Sequence, residues 1–101
     1  MPDAIALDRY VVETLMPDLV GHDRRPAAFL VYLALASDQG RGRGFVSHAQ
    51  LAERTGLSKR TVQDALRHLA ARSLVAVDRG ARTEAACLTV LTPWRREGRP
   101  A

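Results

Sequence analysis

Ser47-His48-Ala49-Gln50-Leu51-Ala52-Glu53-Arg54-Thr55-Gly56-Leu57-Ser58-Lys59-Arg60-Thr61-Val62-Gln63-Asp64-Ala65-Leu66-Arg67-His68-Leu69-Ala70-Ala71-Arg72 is the stretch that decides the fold. Ser47 and Gln50 have capping-box spacing: the hydroxyl accepts from the backbone three residues on, and the Gln side chain reaches back. A helix therefore runs from His48 to Thr55, and Gly56 supplies the sharp turn out of it. Ser58 caps a second helix. Val62, Ala65, Leu66 and Leu69 share one face of it at helical spacing, and it should run to about Arg72. Counted from His48, Ala52 is the fifth residue, small enough to let the helices approach. Gly56 is the ninth, in the turn, and Val62 the fifteenth, packing the second helix onto the first. Leu51 and Leu57 fill neighbouring core places.

Upstream, Pro26 sits where a helix starts, because its missing N–H is an orphan there anyway. A core helix over 26–37 follows, and its apolar run Ala27 to Ala36 has no polar break. A helix apolar all round must be covered on most sides. Gly40-Arg41-Gly42-Arg43-Gly44 ends it as a loop, and Phe45-Val46 is at most a brief strand. Leu7, Val11, Leu15 and Leu19 form the stripe of an amphipathic leader helix over 7–20. Pro17 should end its continuous winding near Met16, with a further turn over 18–20. Residues 21–25 are a polar connector. Downstream, Leu74 to Val77 and Ala86 to Leu91 are rich in strand formers, predicting a hairpin over 74–91 with Arg79 and Arg82 at its tip. Pro93 ends the ordered body, leaving 93–101 as a flexible tail.

Composition narrows the function. The 101 residues, 47% hydrophobic and 26% charged, suit one globular domain with a modest core. The single cysteine, Cys87, excludes a disulfide framework and a multi-cysteine zinc site. It lies in an apolar strand, as an inert buried thiol would. The longest apolar run is far short of the ~20 residues of a membrane span. No secretory signal opens the chain, so the expected address is the cytoplasm. His22, His48 and His68 lack metal-ligand spacing, and His68 is expected to be solvated. No nucleophile-base set or phosphate loop is present, so neither an enzyme nor a cofactor is expected. The 1–23 segment sets five acids against Arg9 alone, whereas the rest holds 14 cations against six anions. An acidic leader on a basic body points to a body that meets a polyanion. Fourteen of the 15 cations are Arg; Arg- and Ala-rich chains are what G+C-rich codons encode, which points to a bacterial source.

The two short helices across a glycine turn resemble the bacterial helix-turn-helix. The wider order from Pro26 to Leu91, helix, strand, helix, turn, helix and two strands, resembles winged helix-turn-helix regulators. Leu51 to Leu69 is similar to the small winged domains of GntR-like, MarR-like and plasmid replication-type regulators. The resemblance implies a mainly α fold with a small β-hairpin wing and an extra N-terminal helix. Such domains usually carry Gly where this chain has Ser73, which must adopt a left-handed conformation at some cost or end the helix differently.

The resemblance also implies a double-stranded DNA partner, with helix 58–72 in the major groove. Lys59, Arg60, Thr61, Gln63 and Asp64 then come nearest the bases. Arg matches guanine and Gln matches adenine with paired bonds. Arg60 can instead, or also, pair with Asp64 at i, i+4. Ser47, His48, Gln50, Ser58 and Arg67 are candidates for phosphate, and Arg79 and Arg82 for the adjacent minor groove. The expected role is a transcriptional repressor, homodimeric through the N-terminal helix and helix 26–37, bound at the nucleoid. No small-molecule ligand and no membrane are expected. Two other roles are a plasmid or phage replication, partition or accessory DNA-binding protein, and a winged module for protein contacts.

Overall fold

The computed structural model describes residues 4–39, 45–78 and 85–94. Two π-wound segments, π1 (Val11–Leu15) and π2 (Pro17–His22), lead into α1 (Pro26–Gln39). The chain continues through β1 (Phe45–Ser47), α2 (His48–Thr55), α3 (Lys59–Ala71), β2 (Val75–Asp78) and β3 (Ala85–Val90).

The helix-turn-helix forms for the local reasons legible in the residues. Ser47 Oγ accepts from Gln50 N–H at 3.1 Å, and Ser47 N–H donates to Gln50 Oε1 at 2.9 Å. Gly56 takes φ +81°, and its N–H closes on Ala52 O. Ser58 Oγ accepts from Thr61 N–H at 3.1 Å. Val62, Ala65, Leu66 and Leu69 are buried on one face of α3. They join Leu51, the apolar side of α1 and the leader in one core, where Tyr32, Leu19, Leu51, Leu69, Val31 and Val62 are fully enclosed.

Ser73 does adopt the left-handed conformation, at φ +60°. Its N–H donates to Ala70 O at 3.0 Å, and Leu74 N–H donates to Leu69 O at 2.9 Å, a Schellman ending. A Cβ in this region costs about 1–2 kcal/mol, partly offset in a glycine variant by the freer unfolded chain. Ser73 is exposed, so no packing is lost with it. Ser73→Gly is therefore expected to raise stability by about 0.5–1 kcal/mol. A urea midpoint at or below that of the wild type contradicts this account.

The structure corrects two expectations, for the leader and for Pro93, and bears out the hairpin while adding β1 to it. The leader does not stop near Met16. Helical winding continues through Pro17 to His22, with Met16 N–H bonded to Val11 O and Asp23 N–H to Asp18 O. The wider i→i+5 ladder moves the backbone bonds off the carbonyl four residues back, which a proline ring would strike in an α-helix. Val11, Leu15 and Leu19 keep their buried stripe, because a strict four-residue period falls between the α and π windings. The wing is part of a three-stranded antiparallel sheet in the order β1-β3-β2. Phe45 pairs with Cys87 and Val75 with Val90, so β3 is central. The body does not end at Pro93. Trp94 stacks on Tyr10 at 4.5 Å and donates from Nε1 to Asp8 Oδ2 at 2.8 Å. The reading of 95–101 as a tail, and the Gly40 to Gly44 loop, lie outside the described residues, as does the side chain of Cys87.

Candidate nucleic-acid interface

The cap at Ser58 and the four buried residues of α3 set which way its other side faces. Arg60 is 83% exposed and Arg67 74% exposed along their side chains, and Lys59 is exposed beside them. Asp64 stands between the two arginines. Its Oδ1 accepts from Arg67 Nη1 at 3.0 Å, while its Oδ2 lies 3.9 Å from Arg60 Nε. Exposed pairs of this kind contribute only ~0.3–0.5 kcal/mol, so they align the guanidinium groups without immobilising them. Thr61 is half-buried, and its Oγ1 accepts from Ser58 Oγ at 2.9 Å, which leaves its own O–H to donate elsewhere.

Two candidates from different helices are brought together. Gln63 Nε2 lies 3.3 Å from His48 Nδ1. With the amide as donor, the imidazole proton sits on Nε2. Ser47 and Gln50 are committed to the capping box, but the hydroxyl proton and the amide N–H groups are left over. Lys59, Arg60, Thr61, Gln63 and Asp64 thus occupy the first half of α3, next to Ser47, His48 and Gln50 at the start of α2. Arg79 and Arg82 lie outside the described residues.

His68 is not solvated, and this corrects the expectation. His68 Nε2 donates to Asp23 Oδ2 at 2.7 Å. The same oxygen receives Arg72 Nη1, and Arg72 Nη2 donates to Asp18 Oδ2 at 2.6 Å. His22 Nδ1 is 3.1 Å from Asp23 Oδ1. The end of α3 is therefore latched to the leader. Hydrogen bonds from His68 first, then His22, together with the charge of Arg72, hold the Asp23 carboxyl at about 2, against its own desolvation. Asp18 and then Asp23 push the Arg72 guanidinium up from its ordinary value. Asp18, His22 and Asp23 also bring donor atoms within 4.8 Å of one another. Arg72 and His68 already satisfy the carboxylates there, so the cluster reads as a latch. No local periodicity marks these residues; the acidic leader was the one compositional hint.

This is a winged helix-turn-helix with an open cationic face on its second motif helix. A family model described as a helix-turn-helix domain matches residues 25–75, just over half the chain, and the chain belongs to that family. It is a DNA-binding type of domain. No curated protein and no solved structure matches the chain. No helix among the described residues is long and apolar enough to cross a membrane.

Proposed function

We propose that this protein is a sequence-specific double-stranded DNA-binding regulator that represses transcription by occupying its operator. The observation that carries the reading is the exposure of Lys59, Arg60 and Arg67 on the side of α3 opposite its buried face. An α-helix fits the major groove, and its first turns come nearest the base edges. Arg60 and Gln63 read bases, with Lys59, Thr61 and Asp64 beside them. Ser47, His48, Gln50, Ser58 and Arg67 hold phosphates and set the register. The protein acts by binding, as a cytoplasmic protein found at the nucleoid when bound, and does no chemistry on its partner.

It binds as a homodimer. The four-residue period of the leader lays out a second row, Val12, Met16 and Val20, that is exposed, and Leu30 of α1 is 43% exposed. A second copy of the chain covers this row, and a two-fold arrangement sets two α3 helices ~34 Å apart on one side of the duplex.

Titration of genomic duplex fragments at several salt concentrations tests the reading. Affinity should fall steeply as salt rises, because each neutralised phosphate releases counterions. Arg67→Ala should weaken all sequences alike and lower the salt slope by about 1. Absence of salt-dependent duplex binding overturns the proposal and points to a protein partner.

A further inference from the structure

A carboxylate stands in the middle of the cationic face of α3, where binding to phosphate alone would have no use for it. Arg60, Asp64 and Arg67 follow one another at helical spacing, on the side opposite Val62, Ala65, Leu66 and Leu69. Asp64 is held at one oxygen only. Its Oδ1 accepts from Arg67 Nη1 at 3.0 Å, whereas Oδ2 lies 3.9 Å from Arg60 Nε, too far for a hydrogen bond. Among the described residues, Oδ2 therefore keeps its capacity to accept, on a side chain 43% exposed. A guanidinium carries five N–H donors, so Arg67 can hold Asp64 with one and a phosphate with the others.

We infer that Asp64 is a specificity-determining residue, which accepts from the N4 amino group of a cytosine and disfavours every other base at that position. The inference rests on the DNA reading above. A carboxylate only accepts. In the major groove cytosine presents a donor with no acceptor of its own. Guanine presents N7 and O6, thymine presents O4, and adenine sets N7 beside its amino group. Each of these three bases places lone pairs against the carboxylate. At a rise of about 1.5 Å per residue, Asp64 lies about 6 Å along α3 from Arg60. That is within two base steps of ~3.4 Å, so the cytosine is near the guanine that Arg60 reads. The negative charge also acts on every sequence alike. It opposes the phosphates, weakens the hold on unrelated duplex and so widens the gap between the operator and other DNA.

A pool of randomised duplexes is selected on the full wild-type chain. The recovered sites and a duplex of unrelated sequence are then titrated with wild type, Asp64→Ala and Asp64→Asn. The expected result for the wild type is a C·G pair whose replacement weakens binding by roughly 5- to 150-fold. Asp64→Ala should lose that preference and bind the unrelated duplex more tightly than the wild type does. Asp64→Asn should move the preference at the same position from cytosine to adenine, whose N6 and N7 suit a carboxamide. A residue that merely braced the two arginines would show neither the gain on unrelated duplex nor the change of base. Unchanged preferences in both variants, or weaker binding of the unrelated duplex by Asp64→Ala, overturns the inference and leaves the DNA reading standing. A pool from which the wild type recovers no duplex overturns that reading and this inference with it.

Discussion

Asp23→Ala is expected to lower folding stability by about 2–3 kcal/mol, a larger loss than an ordinary surface ion pair would cause. Asp23 is only 9% exposed along its side chain, and it serves His68, Arg72 and His22 at once. Its removal leaves His68 without the acceptor that its Nε2 faces, and leaves Arg72 with Asp18 alone. For a domain of this size such a loss lowers Tm by roughly 10–20 °C. The same residue sets an acid limb on stability. Its carboxyl lies at about 2 when folded against 3.8 ordinarily, so the folded state favours the charged form. That contribution is fully present above about pH 4 and disappears as pH falls from about 4 towards 2, at roughly 1–2 kcal/mol in all. Urea denaturation of wild type and Asp23→Asn across this range should show curves that converge as the pH falls. A constant gap between them, or a loss under 0.5 kcal/mol for Asp23→Ala at neutral pH, would show the latch to be ordinary surface charge.

Arg60→Ala should cost about 1–3 kcal/mol of discrimination at a single base pair of the operator, while binding to unrelated duplex falls only slightly. The fold has little stake in this side chain. Among the described residues it is paired with Asp64, 3.9 Å away, and its side chain is 83% exposed. Denaturation midpoints should therefore stay within about 0.5 kcal/mol of the wild type, which separates lost recognition from lost structure. Competition binding with operator duplexes substituted one position at a time makes the measurement. An Arg60 variant with the same preferences as the wild type at every position removes Arg60 from the base-reading set. It would leave Gln63, whose amide already faces His48, as the principal reader.

These two predictions rest on residues of different legibility. Arg60 was readable because a helical wheel needs only the apolar face of its own helix to say where the opposite side points. Asp23 was not. It lies in what reads as a polar connector, and its partners are 45 and 49 residues away. The charge asymmetry along the chain was informative but pointed outward alone, towards a polyanion. Part of that basic charge is spent within the molecule, on Asp18 and Asp23. Trp94 misled for a related reason. After Pro93, and followed by charged residues, it looks like the start of a tail, yet its indole reaches back 86 residues to Asp8. The leader was half legible: its four-residue stripe was plain, but its winding was not, since the same stripe suits either helix type.

The residues alone determined the helix-turn-helix itself: both caps, the glycine turn, the buried side of α3 and the cationic side left over. Each of these is settled by hydrogen bonds or side-chain spacings within a few residues, so local chemistry suffices. Only the tertiary structure decided that β1 completes the sheet, that the leader clamps the end of α3, and that Trp94 packs back onto Tyr10 and Asp8. Those outcomes depend on which distant groups meet once the core has formed, and a hydrogen bond across half the chain leaves no spacing in the sequence to announce it.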